Sequence, residues 1–197
     1  TTSGNTRSWR YVISGDGTPD TGRFQLQGSL IDGLADAAGN AATGNPGITG
    51  VFEADTRTPN LTGVTLSAKR DTTSLGTGAS LKAGDVVTLA ATYDEVVLGS
   101  FTNTPKLRIG SELNVALTPE TTTGQTRTWT YTIGANDVAD NGLIVLDGSL
   151  IAGLTDAAGN AVAGSPVTTG SYTADTRAPQ LTGVTFSAMR GAQQPTT

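Results

Sequence analysis

The 197-residue chain holds 26 glycines and 35 threonines, no cysteine and no histidine, and carries 12 basic against 17 acidic residues for a formal charge of -5. Lacking Cys and His, it has no disulfide framework, no thiolate or imidazole zinc site, no haem and no Ser-His or Cys-His catalytic pair. No basic cluster offers a nucleic-acid footprint, and the one metal class that the remaining oxygen ligands invite is a hard cation such as calcium.

In chain order, Trp9 and Tyr11 alternate with polar residues as on the apolar face of a strand. Leu61 to Ser67 opens the next unit. Val87, Leu89, Ala91 and Tyr93 repeat the period of two, with Thr88 and Thr92 between them. Leu107 and Ile109, then Leu113, Val115 and Leu117, read as paired strands around a tight turn at Gly110-Ser111. Trp129-Thr130-Tyr131-Thr132-Ile133 is a strand with one buried face. Leu150 to Ala158 is the only helix-like stretch, too short and glycine-rich to be more than a turn. Val167 to Thr173 closes the unit. About seven short strands separated by Gly, Asn, Asp and Pro are the signature of an all-β, antiparallel β-sandwich. No stretch approaches the ~18 apolar residues of a membrane helix, and the first residues do not read as a targeting segment. Either a signal outside this chain routes the product, or the chain is an excerpt.

The chain also repeats itself. Residues 1–70 overlay 121–190 without a gap at a shift of 120, with 40 of 70 positions identical. Ala54-Asp55-Thr56-Arg57-Thr58-Pro59 and Ala174-Asp175-Thr176-Arg177-Ala178-Pro179 read as linkers closed by proline. The expected division is therefore the C-terminal half of one repeat (1–58), a complete repeat (59–178) and the first strand of a third (179–197). The rival is an A-B-A arrangement with 71–124 as a separate small domain.

The succession Asp55-Thr-Arg-Thr-Pro59, Leu61-Thr-Gly-Val-Thr65, Leu81-Lys-Ala-Gly-Asp85, Tyr93-Asp-Glu95, Trp129-Thr-Tyr131 and Thr155-Asp-Ala-Ala-Gly-Asn160 resembles the bacterial immunoglobulin-like repeats of giant RTX-type, type I secreted surface adhesins. The period is longer than is typical of that family, the extra chain lying in the loop Thr118 to Gln125. The resemblance implies an immunoglobulin-like β-sandwich in a tandem array, exported to the bacterial cell surface in adhesion and biofilm contexts. Its modules act as extenders with calcium near the junctions. The implied partners are neighbouring repeats of the same protein and other copies in a fibre, with no nucleic acid and no membrane insertion.

The acidic residues suggest where calcium would sit. Asp55 lies in the linker, Asp85 starts a strand, Asp94 and Glu95 follow it, and the Asp36/Asn40 loop belongs to the preceding repeat. If Asp55, Asp94, Glu95, Asp36 and Asn40 meet at the junction, they supply most of the six to eight oxygens that calcium takes. The next junction would use Asp156, Asn160 and Asp175. The competing reading is that these are Asx-turn residues facing water. Asn136 to Gly142 is a second oxygen-rich cluster, read as an ordinary turn. Arg57 and Arg177 are expected to orient the linker carboxylates, and Trp9, Tyr11, Trp129 and Tyr131 are assigned to core rather than to a sugar platform. No catalytic residue and no enzyme activity is expected. The alternatives to an extender are a filament subunit completed by neighbouring chains and a module that binds glycans or another surface through threonine-rich sheet faces. Against the filament, the tail offers 19 residues where roughly 60 are absent by the repeat period.

Overall fold

Alternation of apolar and hydroxyl side chains sets the frame of the complete repeat. In the computed structural model, which describes residues 2–3, 5–13, 22–23, 25–44, 47, 49–110, 113–117, 121–135, 137, 142–187 and 191, the first 58 residues contribute four two-residue strands. These are β1 (Thr2–Ser3), β2 (Thr6–Arg7), β3 (Gly22–Arg23) and β4 (Glu53–Ala54), with β1 pairing β2 and β3 pairing β4. The complete repeat then supplies β5 (Leu61–Arg70), β6 (Thr73–Leu75), β7 (Ser80–Leu81), β8 (Val86–Tyr93), β9 (Leu98–Gly99), β10 (Lys106–Ile109), β11 (Leu113–Ala116), β12 (Thr121–Thr123), β13 (Thr126–Thr132), β14 (Gly142–Asp147), β15 (Leu154–Thr155), β16 (Thr168–Thr169) and β17 (Thr173–Ala174). No helix occurs among the described residues, and none is long and apolar enough to cross a membrane.

The strands form a five-stranded sheet, β11-β10-β14-β17-β7, and a six-stranded sheet, β12-β13-β8-β5-β16 with β6 beside β5. Pairing is antiparallel except for β16 with β5 and β17 with β7. Leu61, Val64, Leu66 and Ala68 of β5, Val87, Leu89, Ala91 and Tyr93 of β8, and Trp129 of β13 turn inward from one sheet. Leu107, Ile109, Ile144 and Ala174 turn inward from the other, and all belong to one core. This is an all-β fold of mainly antiparallel sheets, consistent with a β-sandwich. The expected hairpin about Gly110 forms, Ile109 opposite Leu113, and Leu150 to Ala158 resolves into turns around the short strand β15.

The outer face of the six-stranded sheet is hydroxyl-rich. Thr126 lies opposite Thr92, Thr130 opposite Thr88, and Ser67 opposite Thr88 on the other side. The inward positions of β13 include one surprise. Arg127 shares the parity of Trp129 and is buried, its guanidinium donating to Val97 O at 2.8 Å and lying 5.4 Å from the Phe101 ring centroid.

The path of the chain through this fold sets up the site. Leu61 pairs with Tyr93, at the C-terminal end of β8. Ala174 pairs with Leu81, and the Asp175 N–H donates to Leu81 O at 2.7 Å, beside the turn that feeds Val86 at the other end of β8. Eight extended residues separate the two ends, about 25 Å. The chain arrives at one end of the repeat and leaves at the opposite one.

Candidate metal centre

The loop after β15 builds itself from local chemistry. Asp156 Oδ1 accepts the N–H groups of Ala158 and Asn160, each at 2.8 Å, and Asp156 Oδ2 accepts Asn160 Nδ2 at 2.7 Å. An aspartate that mimics a backbone turn in this way closes a loop without help from distant residues. Burial pushes the Asp156 carboxyl up, but the donors from Asn160, Gly159 and Ala158 outweigh it and hold the group below the usual carboxylate value. Asp156 is buried. Asn160 Nδ2 also donates to the Asp55 carbonyl at 3.1 Å, which ties the linker to the loop.

This tie brings three acids together. Carboxylate oxygens of Asp55, Glu95 and Asp156 all lie within 4.8 Å of one another. The linker supplies Asp55, whose Oδ1 accepts the Arg57 N–H at 3.0 Å, and the chain leaving β8 supplies Glu95. Glu95 Oε1 is shielded from water and has no hydrogen-bond partner. Burial raises the Glu95 pKa first, with further upward pushes from Asp55, Asp156 and Asp94 that Arg57 only partly offsets. Two unit charges at 4 Å repel by roughly 4 kcal/mol at an effective dielectric of about 20. Three carboxylates so placed are relieved by a proton on one of them or by a cation among them. The donors are all oxygen and the charge is high, which fits a hard divalent ion such as calcium, and the orphaned Glu95 Oε1 is the atom such an ion would satisfy.

The other candidate ligands lie elsewhere. Asp94 is used as a clamp: it accepts Asn60 N–H at 2.7 Å and Arg57 at 2.9 Å, while Gln125 Nε2 donates to its carbonyl at 2.6 Å. Burial opposes ionisation of Asp94, but the Asn60 donors and Arg57 prevail and its pKa is lowered. The cation of Arg57 therefore pairs with Asp94. Asp85 lies at the opposite end of β8, buried in a two-point pair with Arg70 at 2.9 and 2.7 Å and capped by the Lys82 N–H. Asp175 sits where the chain leaves, accepting the Arg177 N–H at 3.0 Å as Asp55 accepts that of Arg57.

Asp36 and Asn40 form the same turn as Asp156 and Asn160, with Asp36 accepting Ala38 N–H, Asn40 N–H and Asn40 Nδ2 at 2.9, 2.8 and 2.8 Å. They are exposed and outside the acidic cluster. The loop that meets Asp55 thus belongs to the repeat that follows the linker, since the Asn160 amide reaches the Asp55 carbonyl. The junction expected from the sequence paired the Asp36/Asn40 loop with Asp55 and the Asp156/Asn160 loop with Asp175, whereas the structure brings the Asp156/Asn160 loop to Asp55. The oxygen-rich segment 136–142 lies outside the described residues except for Asp137 and Gly142. Asp137 there accepts the Tyr131 hydroxyl at 2.7 Å and the Gly134 N–H at 2.6 Å; burial, then that carboxylate, pushes the Tyr131 pKa up to about 12.

Away from the acidic cluster, a concavity of about 500 Å³ is lined by Val97, Phe101, Leu117, Thr122, Arg127 and Trp129 among others. Sequence reading passed over Arg127, although its parity with Trp129 marks it as inward. Trp129 is core, as expected, whereas Trp9 and Tyr11 are exposed, with none of the described residues covering them. Comparison with protein-family models, with curated proteins and with solved structures finds no match, so a functional reading rests on the geometry.

Proposed function

We propose that residues 59–178 are one immunoglobulin-like extender module of a tandem array on a bacterial cell surface or extracellular fibre, flanked by the second half of one copy (1–58) and the first strand of another (179–197). The observation that carries this reading is the chain path: arrival beside Tyr93 and departure beside Val86 let repeats of 120 residues join end to end. Calcium is the proposed cofactor, held by Asp55, Glu95 and Asp156, with the Asn160 amide fixing the linker that carries Asp55. By this reading the ion locks each linker onto the repeat that follows it, and Asp175 plays the part of Asp55 for the next. Neighbouring repeats are the principal partners and no enzyme activity is assigned. Small-angle scattering of the full chain with calcium and with chelator tests the reading: the maximum dimension is expected to lengthen and sharpen with calcium, and a calcium-insensitive compact profile would overturn it.

The threonine-rich outer face of the six-stranded sheet favours a second reading, a module that binds glycans or another surface. Binding of the full chain to polysaccharides, lost when Thr88 and Thr130 are replaced together by lysine, would support that alternative over the extender.

A further inference from the structure

Arg127 occupies a core position of the complete repeat. It pairs with Ala91 across β13 and β8, points inward with Trp129, and is buried. A guanidinium carries five N–H donors and keeps its charge at any ordinary pH, so a strand that turns one inward must leave it polar partners. The side chain opens onto the cavity of about 500 Å³, whose other walls come from both sheets. Leu117 directly follows the edge strand β11 of one sheet, and Thr122 lies on the edge strand β12 of the other. The cavity therefore sits where the two sheet edges part, and its volume is within the range of roughly 300–1,000 Å³ that small-molecule sites occupy.

Arg127 is the one charged side chain among the described residues that line this cavity. Its position is fixed by the wall itself. Nη2 donates to Val97 O at 2.8 Å, Nη1 lies 3.5 Å from Gly99 O, and the guanidinium carbon stands 5.4 Å from the Phe101 ring centroid. Phe101 in turn leans on Trp129, with ring centroids 5.6 Å apart and planes tilted by 57°. A guanidinium held flat in this way is ordered before a ligand arrives, which lowers the cost of binding a carboxylate or sulfonate. The remaining wall is largely apolar, so an opposite charge placed there is attracted more strongly than in water. Ser100 and Thr122 stand at the exposed rim.

We propose that this cavity binds a small organic anion, a carboxylate or sulfonate carried on an apolar ring, with the anionic group at Arg127 and the ring against Phe101 and Trp129. The sign of the ligand follows from the lone cationic side chain in the lining, and its apolar body follows from the aromatic wall. An inorganic anion would leave that wall uncovered, and a neutral ring would make no use of the cation. The site goes beyond the extender reading and uses none of Asp55, Glu95 and Asp156, so it is independent of the proposed calcium.

The test uses the full chain with Trp9→Phe, which leaves Trp129, in the cavity wall, as the only one of the two tryptophans. Titration with anilinonaphthalene sulfonate, in chelator throughout, is expected to quench Trp129 emission and saturate at one dye per chain, with a dissociation constant of about 10–100 µM. Phenylnaphthylamine, the same ring system without the sulfonate, should bind at least about tenfold more weakly. Arg127→Met in this background is expected to abolish that preference, so that the two dyes bind alike. Ser100→Glu sets a carboxylate at the rim and leaves Arg127 in place; it should weaken the sulfonate dye by about tenfold and leave the neutral dye unchanged. Near-UV circular dichroism checks that each variant is folded, and should Arg127→Met not fold, the two dyes with Ser100→Glu decide alone. Trp129 emission that ignores the dye, equal affinity for the two dyes, a folded Arg127→Met chain that keeps the preference, or sulfonate binding that Ser100→Glu does not weaken would each overturn the proposal.

Discussion

The segments 22–54 and 142–174 share most of their sequence and differ in their company. Several local features recur at a shift of 120. Gly22 pairs with Ala54 as Gly142 pairs with Ala174, and Ala35 bridges Ala41 as Thr155 bridges Ala161. Ser29 caps its turn as Ser149 does, and the Asp36 loop matches the Asp156 loop bond for bond. Burial does not recur. Leu150 is 4% exposed and Leu30 40%, Trp129 2% and Trp9 70%. Turns and the Ala35–Ala41 bridge are thus written within some ten residues, whereas burial requires strands β5, β8 and β10, which among the described residues share a core with the second copy alone. The local hydrogen bonds alone are worth little net free energy, about 1 kcal/mol apiece. The core is what makes the second copy a stable structure.

The sharpest way to break this comparison is to cut the same side chain from both copies. Trp129→Ala is expected to cost about 3–5 kcal/mol by loss of buried area and the cavity left against Phe101, while Trp9→Ala should stay within about 0.5 kcal/mol. Urea unfolding followed by far-UV circular dichroism measures both. The two tryptophans also report separately: Trp9→Phe should leave blue-shifted emission from Trp129, and Trp129→Phe should leave the water-exposed emission of Trp9. Next in size, Leu150→Ala is expected to cost about 2–4 kcal/mol and Leu30→Ala less than about 1 kcal/mol in the same assay. Equal losses within either pair would mean that the first copy finds its own core.

What could be read from the sequence follows the same division. Periodicity placed β5, β8, β10, β11 and β13 within a few residues, because one face of each strand must be apolar. The shift of 120 was visible by direct comparison. Position in the chain, in the linker, just after a strand and in a loop, also marked Asp55, Glu95 and Asp156 among nine candidate ligands. The loop that meets the linker was assigned to the wrong copy, because Asp36 and Asp156 are each followed by the same Ala-Ala-Gly-Asn. Nor could spacing show that Asp85 and Asp94 are already committed to Arg70 and to Arg57 with Asn60, as those partners lie 15 to 37 residues away in the chain. Trp9 was misjudged for the complementary reason: alternation reports which face is apolar, and says nothing of whether anything lies against it.

A smaller effect separates the two ends of the complete repeat, at low pH. Arg70 hydrogen bonding, then the Lys82 N–H, hold Asp85 below its ordinary pKa against the opposing cost of burial. A carboxylate with a depressed folded pKa stabilises above its unfolded value, near 3.9, and that contribution fades as the pH falls through the folded value. Asp85→Asn should therefore lower stability at neutral pH and flatten its acid loss below about pH 4. Thermal unfolding of both proteins from neutral pH down through that range would show two curves converging in acid; parallel curves would remove Asp85 from the account.

Glu95, at the arriving end, has the opposite sign. Its pKa is raised by burial and by Asp55 and Asp156, so the folded state binds the proton more tightly than the unfolded chain. Stability then declines as pH rises from the unfolded value, near 4.3, through the folded one, unless a cation takes the place of the proton. Glu95→Gln removes one charge from the cluster and keeps its shape. In chelator at neutral pH the variant should melt slightly above the wild type, whereas near pH 4 the two should coincide. With calcium the order should reverse, because the wild type gains by binding and the variant, short of one anionic ligand, binds at least about tenfold more weakly. Calcium titration followed by thermal melting of both proteins reads the two effects together. A variant that is no more stable than the wild type in chelator would mean that the crowding of Asp55, Glu95 and Asp156 carries no cost, and with it would go the reason for a cation to sit there.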